Sequence, residues 1–104
     1  MPHPLAVGLF RVPPGASDQQ RRRARIEIAL CAGTEGYALM DTFDLNDTLR
    51  GADETLQSVR TLGERHALHA LIMAGPLNPA DRSRIDELAD ELQLISVRVP
   101  TSRL

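Results

Sequence analysis

The chain has 104 residues, 42% of them hydrophobic and 25% charged, which suits one small globular domain and excludes a disordered chain. A formal charge of −2 supplies no global pull toward nucleic acid or anionic membrane, and two Phe, one Tyr and no Trp leave few platforms for stacking bases. No apolar run approaches the ~20 residues of a membrane span, and Cys31 stands alone, so no intrachain disulfide can form and a reducing cytoplasm is the expected setting.

In chain order, Leu5 to Val12 is apolar on both faces, Leu5, Val7 and Leu9 on one and Ala6, Gly8, Phe10 and Val12 on the other. Such a run suits a strand buried between two helix layers. Pro13-Pro14-Gly15 stops it, and Ser17 to Gln20 reads as a capping box that satisfies orphan amides at a helix start. The first helix is predicted to run to about Gly33, with Ala24, Ile28 and Cys31 as its inner stripe. Tyr37 to Phe43 forms a second strand interrupted by Asp41, and Asp44 to Gly51 reads as a polar loop. From about Asp53 a second helix carries Leu56, Val59 and Leu62 and ends near Gly63 to Arg65.

Ala67 to Ala74 is a third strand, again apolar on both faces. Asn78-Pro79 supplies an N-cap with Pro at the first helical position, and Ile85, Leu88, Ala89 and Leu92 follow at i, i+3, i+4, i+7. Leu94 to Val99 is the last strand, ended by Pro100, with residues 1–4 and 100–104 as loose ends. This β-α-β-α-β-α-β order with short connections predicts a small three-layer α/β domain, a four-stranded parallel sheet with helices on both faces joined by right-handed crossovers.

Absences narrow the chemistry. All twelve basic residues are Arg, a bias that a GC-rich genome explains. Without Lys there is no P-loop, no Schiff base and no receiver-domain acidic site, each of which uses one. His66 and His69 have H-x-x-H spacing, but residues three apart on a strand point to opposite faces, so no metal site is expected. Asp41, Asp44, Asp47 and Asp53 fit no calcium-loop spacing and read as a polar surface. Arg21-Arg22-Arg23-Ala24-Arg25 spreads its charges around much of a helix, as solvated faces do, and allows only weak phosphate contact. Ser17 is accounted for by capping. In open α/β sheets the functional crevice lies beyond the carboxyl ends of the strands, here the loops Pro13–Ala16, Asp44–Thr48 and Gly75–Asn78.

The opening segment Gly8-Leu9-Phe10-Arg11-Val12 resembles the first strand of the serine recombinase (resolvase/invertase) catalytic domain, which ends in an aromatic-rich stretch, an Arg, a Val and the nucleophilic Ser. Further along, Asp18-Gln19 is similar to the D-Q after the family's serine, and Gly36-Tyr37 leads into a strand ending at Phe43, as in the family. Ala70-Leu71-Ile72-Met73 followed by Pro76-Leu77 sits where the family has an apolar strand and then L-D-R-L-x-R, and Ile85 to Val99 resembles its following helix and strand. The resemblance covers nearly the whole chain, 1–104, and implies strand order 2-1-3-4. The family's long C-terminal helix and helix-turn-helix DNA-binding domain have no counterpart before Leu104.

The resemblance also implies lost chemistry. Family members attack a DNA phosphate with the serine while arginines neutralise the phosphoryl oxygens. Pro13 takes the nucleophile's place, Asn78 replaces an acid and Pro79 an arginine, so no catalytic residue carries over. Arg11 and Arg82 align with surviving family arginines and form the expected remnant anion or partner site, with no metal and no cofactor. The resulting expectation is a non-catalytic, resolvase-like module that binds a protein partner or itself, with weak nucleic-acid contact at most and no membrane contact. On that reading Arg11→Ala leaves the fold intact. The alternatives are a divergent DNA strand-transfer component working with another subunit, and an α/β domain that senses a small ligand or anion through loop amides near Pro14-Gly15.

Overall fold

The computed structural model describes residues 3–13, 15–46 and 51–100, with the backbone alone at position 52. Strands β1 (Leu5–Phe10), β2 (Ala38–Asp44), β3 (Leu68–Ala74) and β4 (Ile95–Arg98) alternate with helices α1 (Asp18–Glu35), α2 (Gly51–Arg65) and α3 (Pro79–Leu92). All pairings are parallel and the sheet order is β2-β1-β3-β4, as expected. The chain steps outward from β1 to β2, then back across β1 to β3 and on to β4. Right-handed crossovers therefore leave α1 alone on one face and place α2 and α3 on the other.

Two cores follow from this layering. Ala6, Phe10, Ala70, Ile72 and Ala74 pack with Ala24, Ile28 and Ala32 of α1, while Val7, Leu9, Leu71 and Met73 pack with Val59 of α2 and Ile85, Leu88 and Ala89 of α3. The α1 face is rich in alanine, so the helix seats closely. A Cβ at Gly8 would lie 2.6 Å from Ile28 Cγ2, which makes the bare glycine part of the fit. Phe10, Leu9, Ile28 and Ile72 are fully buried and contribute about 1.5–3 kcal/mol each by leaving water.

The capping chemistry matches the sequence. Ser17 Oγ accepts from the Gln20 amide and Gln20 Oε1 accepts from the Ser17 amide, and Asn78 caps α3 with Pro79 at its first position. Several boundaries move. The first helix continues past Gly33 to Glu35, because Gly36 with φ 82° is the left-handed residue whose N–H closes the last turn. Its inner stripe is Ala24, Ile28 and Ala32, with Cys31 only half-buried at the flank. The first strand ends at Phe10, so Arg11 and Val12 extend beyond it toward the crevice, and the last strand shortens to Ile95–Arg98. The second strand shifts by one residue to Ala38–Asp44, with Asp41 exposed inside it, and the third starts at Leu68. The second helix begins at Gly51, and positions 47–50 of the expected loop lie outside the described residues. No helix among the described residues is long and apolar enough to cross a membrane.

Candidate functional site

Beyond the carboxyl ends of β1 and β3 the backbone of Arg11 meets Ala74, whose carbonyl accepts from the Arg11 amide at 3.3 Å. The chain then turns at Gly75 with φ 90°. Arg11 emerges here and is not a free cation. Its Nε donates to Asp81 Oδ2 at 2.5 Å and its Nη2 to Asp81 Oδ1 at 2.9 Å, a two-pronged pair between β1's end and the first turn of α3. Its Nη1 donates to Asn46 Oδ1, and Asn46 Nδ2 donates to the Val12 carbonyl. The Asp81 side chain keeps 6% of its exposure and that of Arg11 keeps 23%.

Local sequence explains how each member arrives. Asn78 Oδ1 accepts from the Asp81 amide at 2.7 Å, so the cap that starts α3 also orients its first turn. Asp81 lies four residues before Ile85, on the inward stripe of the helix, and a carboxylate in a first turn is favoured by the helix dipole. Asn46 is held by its amide, which donates to Asp44 Oδ1 at 2.8 Å. Asp44 Oδ2 in turn accepts from Arg21 Nε at 3.2 Å, tying α1 to the end of β2. No buried side-chain nitrogen or oxygen among the described residues lacks a partner, so the network is closed.

The residues singled out from sequence are not brought together. Arg82 stands exposed on α3 and makes no ion pair among the described residues, whereas Asp81 beside it carries the contact. Asp81 was legible in principle from the Ile85 stripe extended one turn back, and Asn46 carried no such signal. The arginine run is split, as a solvated face would be. Arg21 pairs with Asp44 and Asp18, Arg23 with Glu27, and Arg25 donates to the Thr42 carbonyl while lying 5.0 Å from the Phe10 ring centroid. His66 and His69 are both exposed, the latter's ring nitrogen meeting the Ala67 carbonyl at 3.1 Å. Among the described residues no group of three His, Cys, Asp or Glu side chains could hold a metal.

Cys31 is shielded twice. Burial pushes its thiol above the ordinary value, and the Glu35 carboxylate one turn on pushes it in the same direction. Because the thiolate is the nucleophile, alkylation by iodoacetamide at pH 8 is expected to be slower than for a free cysteine, with Glu35→Gln speeding it. A folded-state rate equal to that of a free cysteine would contradict this.

Fold and crevice together define a class, a small all-parallel α/β domain whose strand order reverses direction between β1 and β3. Comparison with protein families, with curated proteins and with solved structures gives no match for this chain.

Proposed function

We propose that this chain is a non-catalytic domain on a serine-recombinase-like scaffold that works by binding a protein partner or a second copy of itself. The observation that carries this reading is the capture of Arg11 by Asp81 and Asn46. A recombinase arginine must offer its fork to a phosphate. Here a buried carboxylate occupies that fork, and a phosphate would have to displace it at the cost of leaving Asp81 buried and unpaired. Pro13, at the position of the family's serine, has no hydroxyl to offer. The strand order β2-β1-β3-β4 also supports the scaffold assignment.

The contact surface best suited to a partner is the outer side of α1. Ile26 and Leu30 are 51% and 66% exposed, lie one turn apart and point away from the sheet, beside Arg22 and Arg23. An apolar pair with a basic rim fits a partner patch with an apolar centre and acidic edge. The test combines duplex DNA on denaturing gels with sedimentation velocity over a range of protein concentrations. The expected result is no covalent protein–DNA adduct and, at most, binding that disappears between low and physiological salt. Association with itself, where it occurs, should weaken in Leu30→Glu. A covalent adduct would overturn the reading in favour of strand transfer.

A further inference from the structure

The two edges of the sheet are finished differently. At β2 the Leu45 amide donates to the Phe10 carbonyl of β1, so the alternation of a strand turns the backbone of Thr42 outward. Side chains occupy both of its groups. The Thr42 amide donates to Asp41 Oδ1 at 2.8 Å, and its carbonyl accepts from Arg25 Nη1 at 3.0 Å. Asp41 is exposed in mid-strand, and Met40 is an extra residue in the register, where Ala6 faces Leu39 and Val7 faces Asp41. A charge, a bulge and a capped backbone are what keep an edge strand from pairing.

Among the described residues β4 has no such protection. The Val99 amide donates to the Met73 carbonyl at 2.9 Å, so Ile95, Val97 and Val99 bond to β3 while Ser96 and Arg98 turn their N–H and C=O to the open edge. No side chain among the described residues meets those outward groups. Ile95 and Val97 stand in register with Ala70 and Ile72 on the α1 side, whereas Ser96 and Arg98 stand with Leu71 and Met73 on the other. On its side α1 leaves a cleft of about 540 Å³ between Ala24, Glu27 and Val99, and Ile95 is 59% exposed.

We propose that β4 pairs antiparallel with β4 of a second copy, joining the two sheets about a two-fold axis at Val97. Residues directly opposite in antiparallel strands share a face, and at hydrogen-bonded positions both turn their backbone to the partner. Ser96 therefore meets Arg98 of the second copy, and by symmetry Arg98 meets its Ser96, so every outward N–H and C=O of the two residues is satisfied. On the α1 side Ile95 lies against Val99 of the second copy and Val97 against its own counterpart, an unbroken apolar ladder. The charges agree with this choice of partner. Asp86 and Asp90 lie one turn apart on the flank of α3 away from Arg84 and Glu91, which pair with α2. Antiparallel pairing turns the carboxyl-end cations Arg82 and Arg98 of each copy toward Asp86 and Asp90 of the other. None of these side chains has an ionic partner among the described residues. A second copy supplies both the apolar ladder and the opposite charges. The pairing specifies the self-binding arm of the reading above but uses a different surface from the outer side of α1, so either can fail alone.

The test is sedimentation velocity over a range of protein concentrations, joined to amide hydrogen exchange at low and high concentration. A concentration-dependent dimer is expected in which the Ser96 and Arg98 amides exchange about tenfold more slowly than in the monomer. Ile95→Lys changes an exposed side chain, so it should keep the melting temperature of the monomer and raise the dissociation constant about tenfold. Ser96→Pro deletes an outward N–H, spares the ladder to β3 and should weaken the dimer likewise. Leu30→Glu weakens only association through α1, and a dimer with protected Ser96 and Arg98 amides should remain. A monomer at every concentration, a dimer whose Ser96 and Arg98 amides exchange as in the monomer, or a dimer that Ile95→Lys and Ser96→Pro leave intact would overturn the proposal. A covalent DNA adduct would instead sink the non-catalytic reading and leave the strand pairing standing.

Discussion

Gly75→Ala is expected to destabilise the protein by about 3–4 kcal/mol, a drop in melting temperature of roughly 15–25 °C for a domain of this size. Two costs add. The left-handed backbone at φ 90° disfavours any side chain by about 1–2 kcal/mol. In addition, the new Cβ would lie 1.9 Å from the Arg11 carbonyl oxygen. That oxygen belongs to backbone, so relief requires the end of β3 to move away from the end of β1, which breaks the Arg11–Ala74 hydrogen bond and opens the crevice. Gly36→Ala is the matched control. Its φ is 82°, but no atom lies within 4 Å of the added Cβ, so only the conformational cost of about 1–2 kcal/mol should appear. Urea unfolding of the two variants decides the matter, and equal losses would show that the contact with Arg11 is unimportant.

The second large effect belongs to Asp81. Asp81→Ala strands the Arg11 guanidinium in a site built for its partner and should cost about 2–3 kcal/mol, below the ~3–5 kcal/mol of fully buried pairs. The discount reflects the 23% of the Arg11 side chain that water still reaches. Arg11→Met leaves the carboxylate, the more deeply buried member at 6%, without its partner and should be at least as damaging. The double variant Arg11→Met/Asp81→Leu replaces both charges with apolar groups and should recover much of the loss, giving a coupling of about 1–2 kcal/mol. Additive losses in a double-mutant cycle would mean that the pair is incidental. These values reverse the expectation drawn from sequence alone, on which removing the Arg11 side chain spares the fold.

That reversal marks where sequence reasoning ran out. Arg11 was conspicuous as one charge at the end of an apolar strand, and its position at the crevice mouth followed directly. What it touches did not follow, because Asp81 is 70 residues away and Asn46 35 residues away along the chain. The family resemblance points to Arg82, one residue from Asp81, the group that makes the contact. The helix stripe was the better guide, since Asp81 shares the inward face of Ile85, Leu88 and Ala89. Cys31 shows a smaller version of the same limit. Its spacing fits the stripe of Ala24 and Ile28, yet Ala32 takes the inner place, since a stripe wide enough for both residues cannot show which one faces the sheet.

The alternation of elements, the two caps at Ser17 and Asn78 and the double-sided burial of β1 and β3 are local properties, and the sequence by itself determined them. Each rests on spacing within a few residues, on hydrogen bonds a side chain makes to its own helix start, or on hydrophobic runs with no polar face. Tertiary structure alone decided that Asp81 and Asn46 close around Arg11, that Gly75 lies against the Arg11 carbonyl, and that α1 leaves a cleft beside β4. These depend on which surfaces meet once right-handed crossovers have set the layers, and pairings across tens of residues leave no periodic trace in the chain.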